Sequence, residues 1–258
     1  MSKLNISHVF MNYHSLKGEM SALNDINFNV SEGEFVSIVG PSGCGKSTLL
    51  NIIAGLIKPS RGSVVINNEQ IISFSNKMGY MFQKDHLFEW LTVKDNITLG
   101  LKIGHKLDKN SEKEIDDLLI KYNLIDFKDY FPNELSGGMR QRAALIRTLA
   151  LKPEVLLLDE PFSALDYQTR LYVGNEIHQI IKEESKTAIM VTHDIAEAVA
   201  MSDRVMIMSK RPAYIKKDLI MEFPSNCCSA LSRRDDSKFS YYFNLIWREL
   251  DLDENTKK

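Results

Sequence analysis

The stretch Gly40-Pro-Ser-Gly-Cys-Gly-Lys-Ser-Thr48 follows directly on an apolar run, residues 35–39, that is typical of a buried strand. It matches the pattern G-x-x-x-x-G-K-[ST], which binds phosphates between a strand and a helix. Its glycines allow successive backbone N–H groups to surround phosphates, and the helix that follows presents its positive end. We expect Lys46 to reach the outer phosphates and Ser47 to ligate magnesium. The stretch therefore predicts a nucleoside triphosphate site made of Gly40, Pro41, Ser42, Gly43, Cys44, Gly45, Lys46, Ser47 and Thr48.

A second apolar run, residues 155–158, ends in the carboxylates Asp159 and Glu160. Ligands of open α/β sheets collect at the ends of such strands. We expect Asp159 to hold magnesium, through water, and Glu160 to polarise the attacking water as general base. A strand that merely ends in acidic residues is common, but the phosphate loop upstream favours the functional interpretation.

Apolar runs of strand length recur along the chain, and all but the second are followed by a polar turn or a helix-like stretch. This order predicts an α/β fold whose parallel sheet is covered on both faces. Helices are expected over residues 111–122, with Ser111 as N-cap and Glu114 completing a capping box, over 165–181, and over 239–250. The five predicted strand runs are 35–39, 64–66, 155–158, 188–191 and 205–208.

Composition narrows the function classes. The 258 residues are 44% hydrophobic and 26% charged, which suits one large α/β domain or two small ones. The formal net charge of -2 gives no global positive field, so we expect no nucleic-acid partner. Three cysteines (Cys44, Cys227 and Cys228) in no framework spacing favour a reducing, cytoplasmic compartment. No apolar run approaches the ~18 residues of a membrane span, so any membrane role should be peripheral.

The segment Leu135-Ser-Gly-Gly-Met-Arg-Gln-Arg142 opens a predicted helix. A serine and two glycines at a helix start make a second anion site. One nucleotide does not need two such sites from one chain. We therefore expect this segment to serve a nucleotide held by another copy of the chain, through Ser136, Gly137, Gly138 and Met139.

The order of these motifs resembles that of the ATP-binding cassette (ABC) ATPases. The motifs that carry it, in chain order, are the phosphate loop, Gln83, LSGGMRQR, VLLLDEP, Ser163-Ala-Leu-Asp166 and His193. The resemblance covers roughly residues 4–210. The resemblance implies a P-loop NTPase core with a mostly parallel sheet, an antiparallel β N-terminal subdomain and a helical insert. It also implies an ATPase domain over 1–222, with a helical subdomain at about 84–152. A linker, an amphipathic helix and a polar tail would follow over 223–258.

The resemblance also implies roles for single residues, with ATP and Mg²⁺ as the cofactors. Gln83 would contact magnesium and sense the transport partner, Asp166 would lie at a dimer interface, and His193 would contact the γ-phosphate. Tyr13 would stack on adenine, although an edge-strand core residue is the alternative. Met139 departs from the glutamine most common at its position. The catalytic set is then Lys46, Gln83, Glu160 and His193, and the metal set is Ser47, Gln83 and Asp159.

Two further segments look like the ATPases of nitrate/sulfonate/taurine-type importers: Glu89-Trp-Leu-Thr-Val-Lys-Asp-Asn96 and Ser209-Lys-Arg-Pro-Ala-Tyr-Ile215. This finer resemblance implies an ATPase that powers import of a small solute from the cytoplasmic face of the membrane. Its partners would be a second copy of itself in a nucleotide-sandwich dimer, two integral membrane permease subunits and, indirectly, an extracytoplasmic solute-binding protein.

Two other function classes do not fit the motifs or their spacing, and a third stays open. A P-loop small-molecule kinase gives no reason for LSGGMRQR or SALD. In a DNA-repair or chromosome ATPase, the interval between Lys46 and Ser136 would have to hold long coiled-coil arms, and it is too short for them. An ABC-type ATPase in cell division or other non-transport membrane signalling keeps every motif and stays open.

Two residues carry hypotheses with open alternatives. Cys44 lies near a helix N-terminus, which favours the thiolate, so its alkylation should block ATP binding; a small buried filler residue is the alternative. Trp90, with Gln83, Phe88 and Glu89, should receive a short cytoplasmic helix of the permease. A core position for Trp90 is the alternative there.

Overall fold

The computed structural model describes residues 2–15, 18–227 and 229–255, with the backbone alone for Ser15 and for 252–255. Cys228 and the end of the predicted polar tail lie outside the described residues. The chain divides into two compact units. The first comprises Met1–Ser75 and His178–Lys258, and the second comprises Asn76–Ile177.

The elements are numbered along the chain. The strands are β1 (Ser2–Ser15), β2 (Gly18–Ser31), β3 (Phe35–Val39), β4 (Arg61–Ile66), β5 (Glu69–Gln70), β6 (Met78–Met81), β7 (Val155–Asp159), β8 (Thr187–Thr192), β9 (Arg204–Met208) and β10 (Ile215–Ile220). The helices are α1 (Lys46–Ile53), α2 (Val93–Ile103), α3 (Lys109–Lys121), α4 (Gly137–Leu149), α5 (Tyr167–Glu183), α6 (Ile195–Met201), α7 (Ala230–Arg234) and α8 (Ser237–Asn255). Short 3₁₀ turns occupy Ile125–Phe127 and Pro132–Glu134.

The first unit contains an antiparallel sheet in the order β2-β1-β4-β5 and four strands of a second sheet in the order β10-β9-β3-β8. In the second sheet β3 runs parallel to both β8 and β9, and β10 is antiparallel to β9. Val39, at the end of β3, pairs with Thr192, at the end of β8. Because the two strands end together, the loops that follow them leave the sheet at the same edge.

The second unit pairs β6 with β7 in parallel, with Met81 opposite Leu158. Residues 84–152 between them contain α2, α3, α4 and the two 3₁₀ turns, and no strand. The prediction that Ser111 caps α3 is wrong. Asp108 is the N-cap and accepts from the Ser111 backbone N–H, while the Ser111 hydroxyl accepts from the Asp108 N–H. Ser111 therefore takes the inner position of the capping box that was assigned to Glu114.

The expected fold class is confirmed. Each of the five predicted strand runs lies within β3, β4, β7, β8 or β9, and the helices predicted over 165–181 and 239–250 correspond to α5 and α8. The long antiparallel strands β1 and β2 make the N-terminal β subdomain that only the family resemblance had implied. Within the described part of the chain, no helix combines the length and the apolar character needed to cross a membrane.

Candidate nucleotide site

The phosphate loop joins β3 to α1 in the first unit. Gly43 and Gly45 have φ of 72° and 126°, which favour glycine because a side chain would be strained there. Gly45 is also the N-cap of α1 and supplies no side-chain hydrogen bond to it. The first turn of α1 therefore offers backbone N–H groups and a positive helix end to an anion.

Lys46 is only 6% exposed, and its ammonium group is held inside this loop. Its Nζ donates to the carbonyl oxygens of Gly40 at 2.8 Å and Pro41 at 3.1 Å. Two carbonyl acceptors offset part of the cost of burying the charge. They also fix the side chain across the loop, so the cation is positioned before any phosphate arrives.

Tyr13 is half-buried on β1, and its Oη lies 3.2 Å from Oγ1 of Thr48. The structure thus joins the predicted adenine contact to the last residue of the phosphate loop. The pairing of β1 with β4 ends at Phe10, so Tyr13 is paired with β2 alone, opposite Met20. The alternative of an edge-strand residue for Tyr13 therefore stays open. Stacking on adenine stays a prediction, and a partly exposed aromatic ring suits it.

The thiol of Cys44 is not activated as the sequence predicted. Cys44 is 2% exposed, and burial raises the pKa of its thiol more than the Lys46 charge lowers it. The helix N-terminus is therefore outweighed by loss of solvent, which disfavours the thiolate. A Cβ on Gly40 would lie 3.0 Å from the Cys44 Sγ, which places the thiol as packing beneath the loop.

His193 follows β8, one residue beyond the strand end that pairs with Val39. Its side chain is exposed and lines a pocket of about 200 Å³ together with Gly40, Pro41 and Ser42. The next residue, Asp194, caps α6 by accepting from the N–H groups of Ala196 and Glu197, so the backbone around His193 is fixed. The structure therefore brings the predicted γ-phosphate contact to the phosphate loop.

In the second unit, Asp159 ends β7 and Glu160 follows it directly, as expected. The hydroxyl of Tyr80 donates to Oδ2 of Asp159 at 3.2 Å. Burial, and then the Asp159 charge, raise the pKa of Tyr80, so this hydroxyl stays protonated as a donor. Glu160 has a φ of 45°, which is rare for a residue with a side chain and marks a constrained turn. Its Oε2 accepts from Nε2 of Gln83 at 3.4 Å.

The glycines of the LSGGM segment pack closely against side chains of the second unit. Ser136 is the N-cap of α4 and accepts from the Met139 N–H at 3.3 Å. A Cβ on Gly137 would lie 2.9 Å from Cδ2 of Leu165, and one on Gly138 would lie 2.7 Å from Cγ2 of Val173. The helix start can therefore pack this closely only without side chains at these two positions.

Asp166, the predicted dimer-interface residue, is exposed at the start of α5. Its Oδ1 accepts from the Thr169 N–H at 3.0 Å, and hydrogen bonds from Thr169 lower the pKa of its carboxyl. Asp166 thus acts as a helix cap and remains ionised at neutral pH. Its place at a dimer interface stays a prediction.

Two arginines of α4 hold the loop that follows Gln83. This role was not predicted from the sequence. Arg140 Nε donates to the Asp85 carboxylate at 3.2 Å. Arg147 donates to the backbone oxygens of Asp85 at 2.7 Å and His86 at 2.6 Å. The sequence shows both arginines, but it does not show that the Asp85 carboxylate accepts from one and two backbone oxygens accept from the other.

Asn96, at 0% exposed, shapes the loop that carries Trp90. Its Oδ1 accepts from the Phe88 N–H at 2.7 Å, and its Nδ2 donates to the carbonyls of Phe88, Leu91 and Thr92 at 3.0 to 3.1 Å. Trp90 itself is 72% exposed and contacts the Phe88 ring at a centroid distance of 5.1 Å. The core alternative for Trp90 is therefore wrong.

Each unit thus gathers part of the predicted set. The first unit holds Tyr13, the phosphate loop and His193. The second unit holds the other members, namely Gln83, Ser136, Gly137, Gly138, Met139, Asp159, Glu160 and Asp166. The residues that sequence reasoning missed are Tyr80, Asn96 and the α4 arginines, which orient predicted groups.

The chain is similar to known proteins over most of its length. The model of the ABC transporter family matches residues 23–163. An uncharacterised ABC transporter ATP-binding protein, YtlC of Bacillus subtilis, is 46% identical over 100% of this chain and 99% of its own length. The aliphatic sulfonates import ATP-binding protein SsuB of Bacillus cereus is 42% identical over 86% of this chain and 87% of its own.

A solved structure agrees with them. It is the dimeric, post-hydrolysis state of the ATP-binding cassette MJ0796 bound to ADP and Pi. It is similar with a TM-score of 0.73 and 32% identity, and the match covers 86% of this chain and 100% of that one. With the phosphate loop, the carboxylate-ended β7 and the capped LSGGM helix in place, the match extends from sequence to architecture. The chain therefore belongs to the ABC transporter family and is an ATP-hydrolysing subunit of the kind found in these transporters.

Proposed function

We propose that the chain binds ATP with Mg²⁺ and hydrolyses it as a dimer. In this role it drives import of a small solute of the nitrate, sulfonate and taurine type through a membrane permease. The observation that carries the coupling to a permease is the exposed pair Phe88 and Trp90, held on a fixed loop five to seven residues after Gln83. The relative named for aliphatic sulfonates import supports the solute class.

The residues present suit magnesium. Ser47, Gln83 and Asp159 offer only oxygen ligands, which Mg²⁺ prefers. Among the described residues no three His, Cys, Asp or Glu side chains cluster as a metal site. Mg²⁺ is commonly bound through one or two carboxylates and completes its shell with water and substrate phosphates. Bound there, Mg²⁺ would neutralise charge that develops on the phosphates.

The predicted site residues then have distinct roles. Lys46 and the N–H groups at the start of α1 bind the phosphates, and Tyr13 stacks on the adenine. Glu160 accepts a proton from the attacking water, and Gln83 orients the Glu160 carboxylate. His193 donates to the γ-phosphate from the loop after β8. Their combined effect is orientation and charge stabilisation, which dominate phosphoryl transfer.

The second copy supplies what one chain lacks. The capped start of α4, with Ser136, Gly137, Gly138 and Met139, offers a second anion site that would engage the nucleotide bound by the partner. Asp166 is exposed and would lie in the interface. The solved relative named as dimeric supports this assembly.

The loop with Phe88, Glu89 and Trp90 is the proposed contact for a short helix of each permease subunit. Exposed aromatic side chains beside an acid suit a helix-binding surface. This contact holds the subunit peripherally at the cytoplasmic face of the membrane, and a solute-binding protein would act indirectly through the permease.

The test is purification of the chain from membranes with its bound partners, followed by reconstitution in vesicles. Recovery of two permease subunits, and ATP hydrolysis that rises with solute-loaded binding protein, would support the proposal. Recovery of cell-division or other signalling membrane proteins instead would overturn the transport role. Aliphatic sulfonates, taurine and nitrate offered separately would identify the solute.

A further inference from the structure

The C-terminal helix α8 packs against α6 and β9 within the first unit. Its Ile246 is fully buried in a cluster with Val39, the last residue of β3, and Ile195, two residues after His193. Leu250 packs against the same cluster. One face of α8 therefore holds the ends of the two segments that carry the phosphate loop and His193.

The next residue on the helix, Trp247, faces outward. It is 56% exposed, and its ring lies parallel to that of Phe243, with centroids 6.3 Å apart and planes inclined by 13°. The contact with Phe243 orients the Trp247 ring and presents part of its apolar surface to solvent.

Trp247 borders the pocket at the phosphate loop. The pocket has a volume of about 200 Å³ and is lined by Gly40, Pro41, Ser42, His193, Ile195, Trp247, Leu250 and Asp251. Small-molecule sites enclose roughly 300–1,000 Å³, so this pocket is too small for a nucleotide. It has the size of one or two side chains, and its walls combine an aromatic, two aliphatic residues and a polar loop.

We propose that Trp247 and this pocket form part of the interface with a second copy of the chain, which inserts side chains against the Trp247 ring. The inference rests on the proposed nucleotide-sandwich dimer, since that dimer brings a second copy onto the phosphate loop. The pocket is continuous with that interface because Gly40, Pro41 and Ser42 form its wall. The C-terminal helix is then an assembly element as well as a support for the core.

The chain contains two tryptophans, so the Trp90→Phe variant leaves Trp247 as a single fluorescent reporter. In a Trp90→Phe, Glu160→Gln background, ATP should shift the emission of Trp247 to shorter wavelength as the ring becomes buried. The shift should follow dimer formation by light scattering and depend on protein concentration. Dimers whose Trp247 emission does not move would overturn the proposal. A shift at concentrations where only monomers exist would also overturn it, because Trp247 would then respond to its own nucleotide.

Point substitutions at Trp247 test its role separately from the nucleotide-sandwich dimer itself. In the Glu160→Gln background, Trp247→Ala should raise the dimer dissociation constant roughly tenfold or more, as expected for an aromatic anchor, with unchanged affinity for ATP. Trp247→Phe should retain most of the dimer affinity of the parent protein. Tyr241→Ala is the matched control, since Tyr241 is 62% exposed on the same helix, about 120° away, and does not line the pocket.

The outcomes distinguish two failures. If the Glu160→Gln parent does not dimerise at saturating ATP, the sandwich dimer fails and this interface with it. If the parent dimerises and Trp247→Ala dimerises equally well, only the role of Trp247 is overturned. Melting temperatures of all variants should agree closely, because Trp247 and Tyr241 are both largely exposed.

Discussion

The side-chain amide of Gln83 lies 3.4 Å from the carboxylate of Glu160, Nε2 to Oε2. The contact follows from the strands that carry the two residues. Met81 and Leu158 are opposite each other in the parallel pair of β6 and β7, and Gln83 and Glu160 each lie two residues farther on. Equal offsets from a paired position bring both side chains to one edge of the strands, so the amide can orient the carboxylate.

Replacement of Glu160 by Gln should slow ATP hydrolysis by roughly 10²-fold or more, the usual effect of losing a general base, and should leave ATP binding intact. The isosteric amide keeps the size of the side chain and the constrained turn. The ATP-bound dimer should accumulate, as seen by light scattering. Glu112→Gln, an exposed change of the same type on α3, is the control. Loss of nucleotide binding in a folded Glu160→Gln protein would contradict the assigned role.

Asn96 and Trp90 should give opposite results in stability and assembly. Asn96→Ala removes four hydrogen bonds to the backbone of the loop that carries Trp90 and should lower the free energy of unfolding by about 2 to 4 kcal/mol. Trp90→Ala should change it by less than about 0.5 kcal/mol because the ring is exposed. Trp90→Ala should instead weaken assembly with the permease and uncouple transport. Urea titration and copurification measure the two effects, and a large loss of stability in Trp90→Ala would refute the surface role.

His178 should make the protein acid-sensitive. It is 1% exposed, and burial, aided by the Arg233 and Lys182 charges, lowers the pKa of its imidazole from 6.5 to about 4. Between these values the unfolded chain binds a proton that the folded chain does not. The His178 contribution to stability is therefore complete above pH 6.5 and is lost as the pH falls towards 4, by about 3 kcal/mol.

The measurement is the free energy of unfolding in urea at several pH values. His178→Leu, which does not titrate at this position, should flatten the slope between pH 4 and 6.5. An unchanged slope in this variant would assign the acid sensitivity to other groups.

Cys44 should react with iodoacetamide far more slowly in the native protein than in urea, since burial both shields the thiol and raises its pKa. Cys227 is half-buried and should be modified first. Mass spectrometry of proteolytic peptides follows the two sites. Rapid native labelling of Cys44 would show that the loop opens on the timescale of the reaction.

These residues show which features of the fold and of the site could be predicted from the sequence. The phosphate loop, β3 and the carboxylates after β7 were predictable because each is fixed by local pattern: apolar run, glycines, then charge. The orientation of Trp90 was not, since a tryptophan suits a core or a surface equally and the buried Asn96 that decides between them acts through backbone groups. For Cys44 the sequence left a reactive thiol and a buried filler residue open, because a local pattern does not show burial. The structure favours the filler residue. The Asp108 cap was missed because two nearby polar residues could each begin the same helix.

The arginines of α4 have a mechanical consequence within the second unit. Arg140 and Arg147 bond the helix that begins at the LSGGM segment to Asp85 and His86, a few residues before Trp90. Because Arg147 donates to two backbone oxygens of the loop, the loop is tied closely to the helix. We therefore expect a displacement of the helix start at Ser136 to shift the loop that carries Trp90, together with any protein bound to that ring.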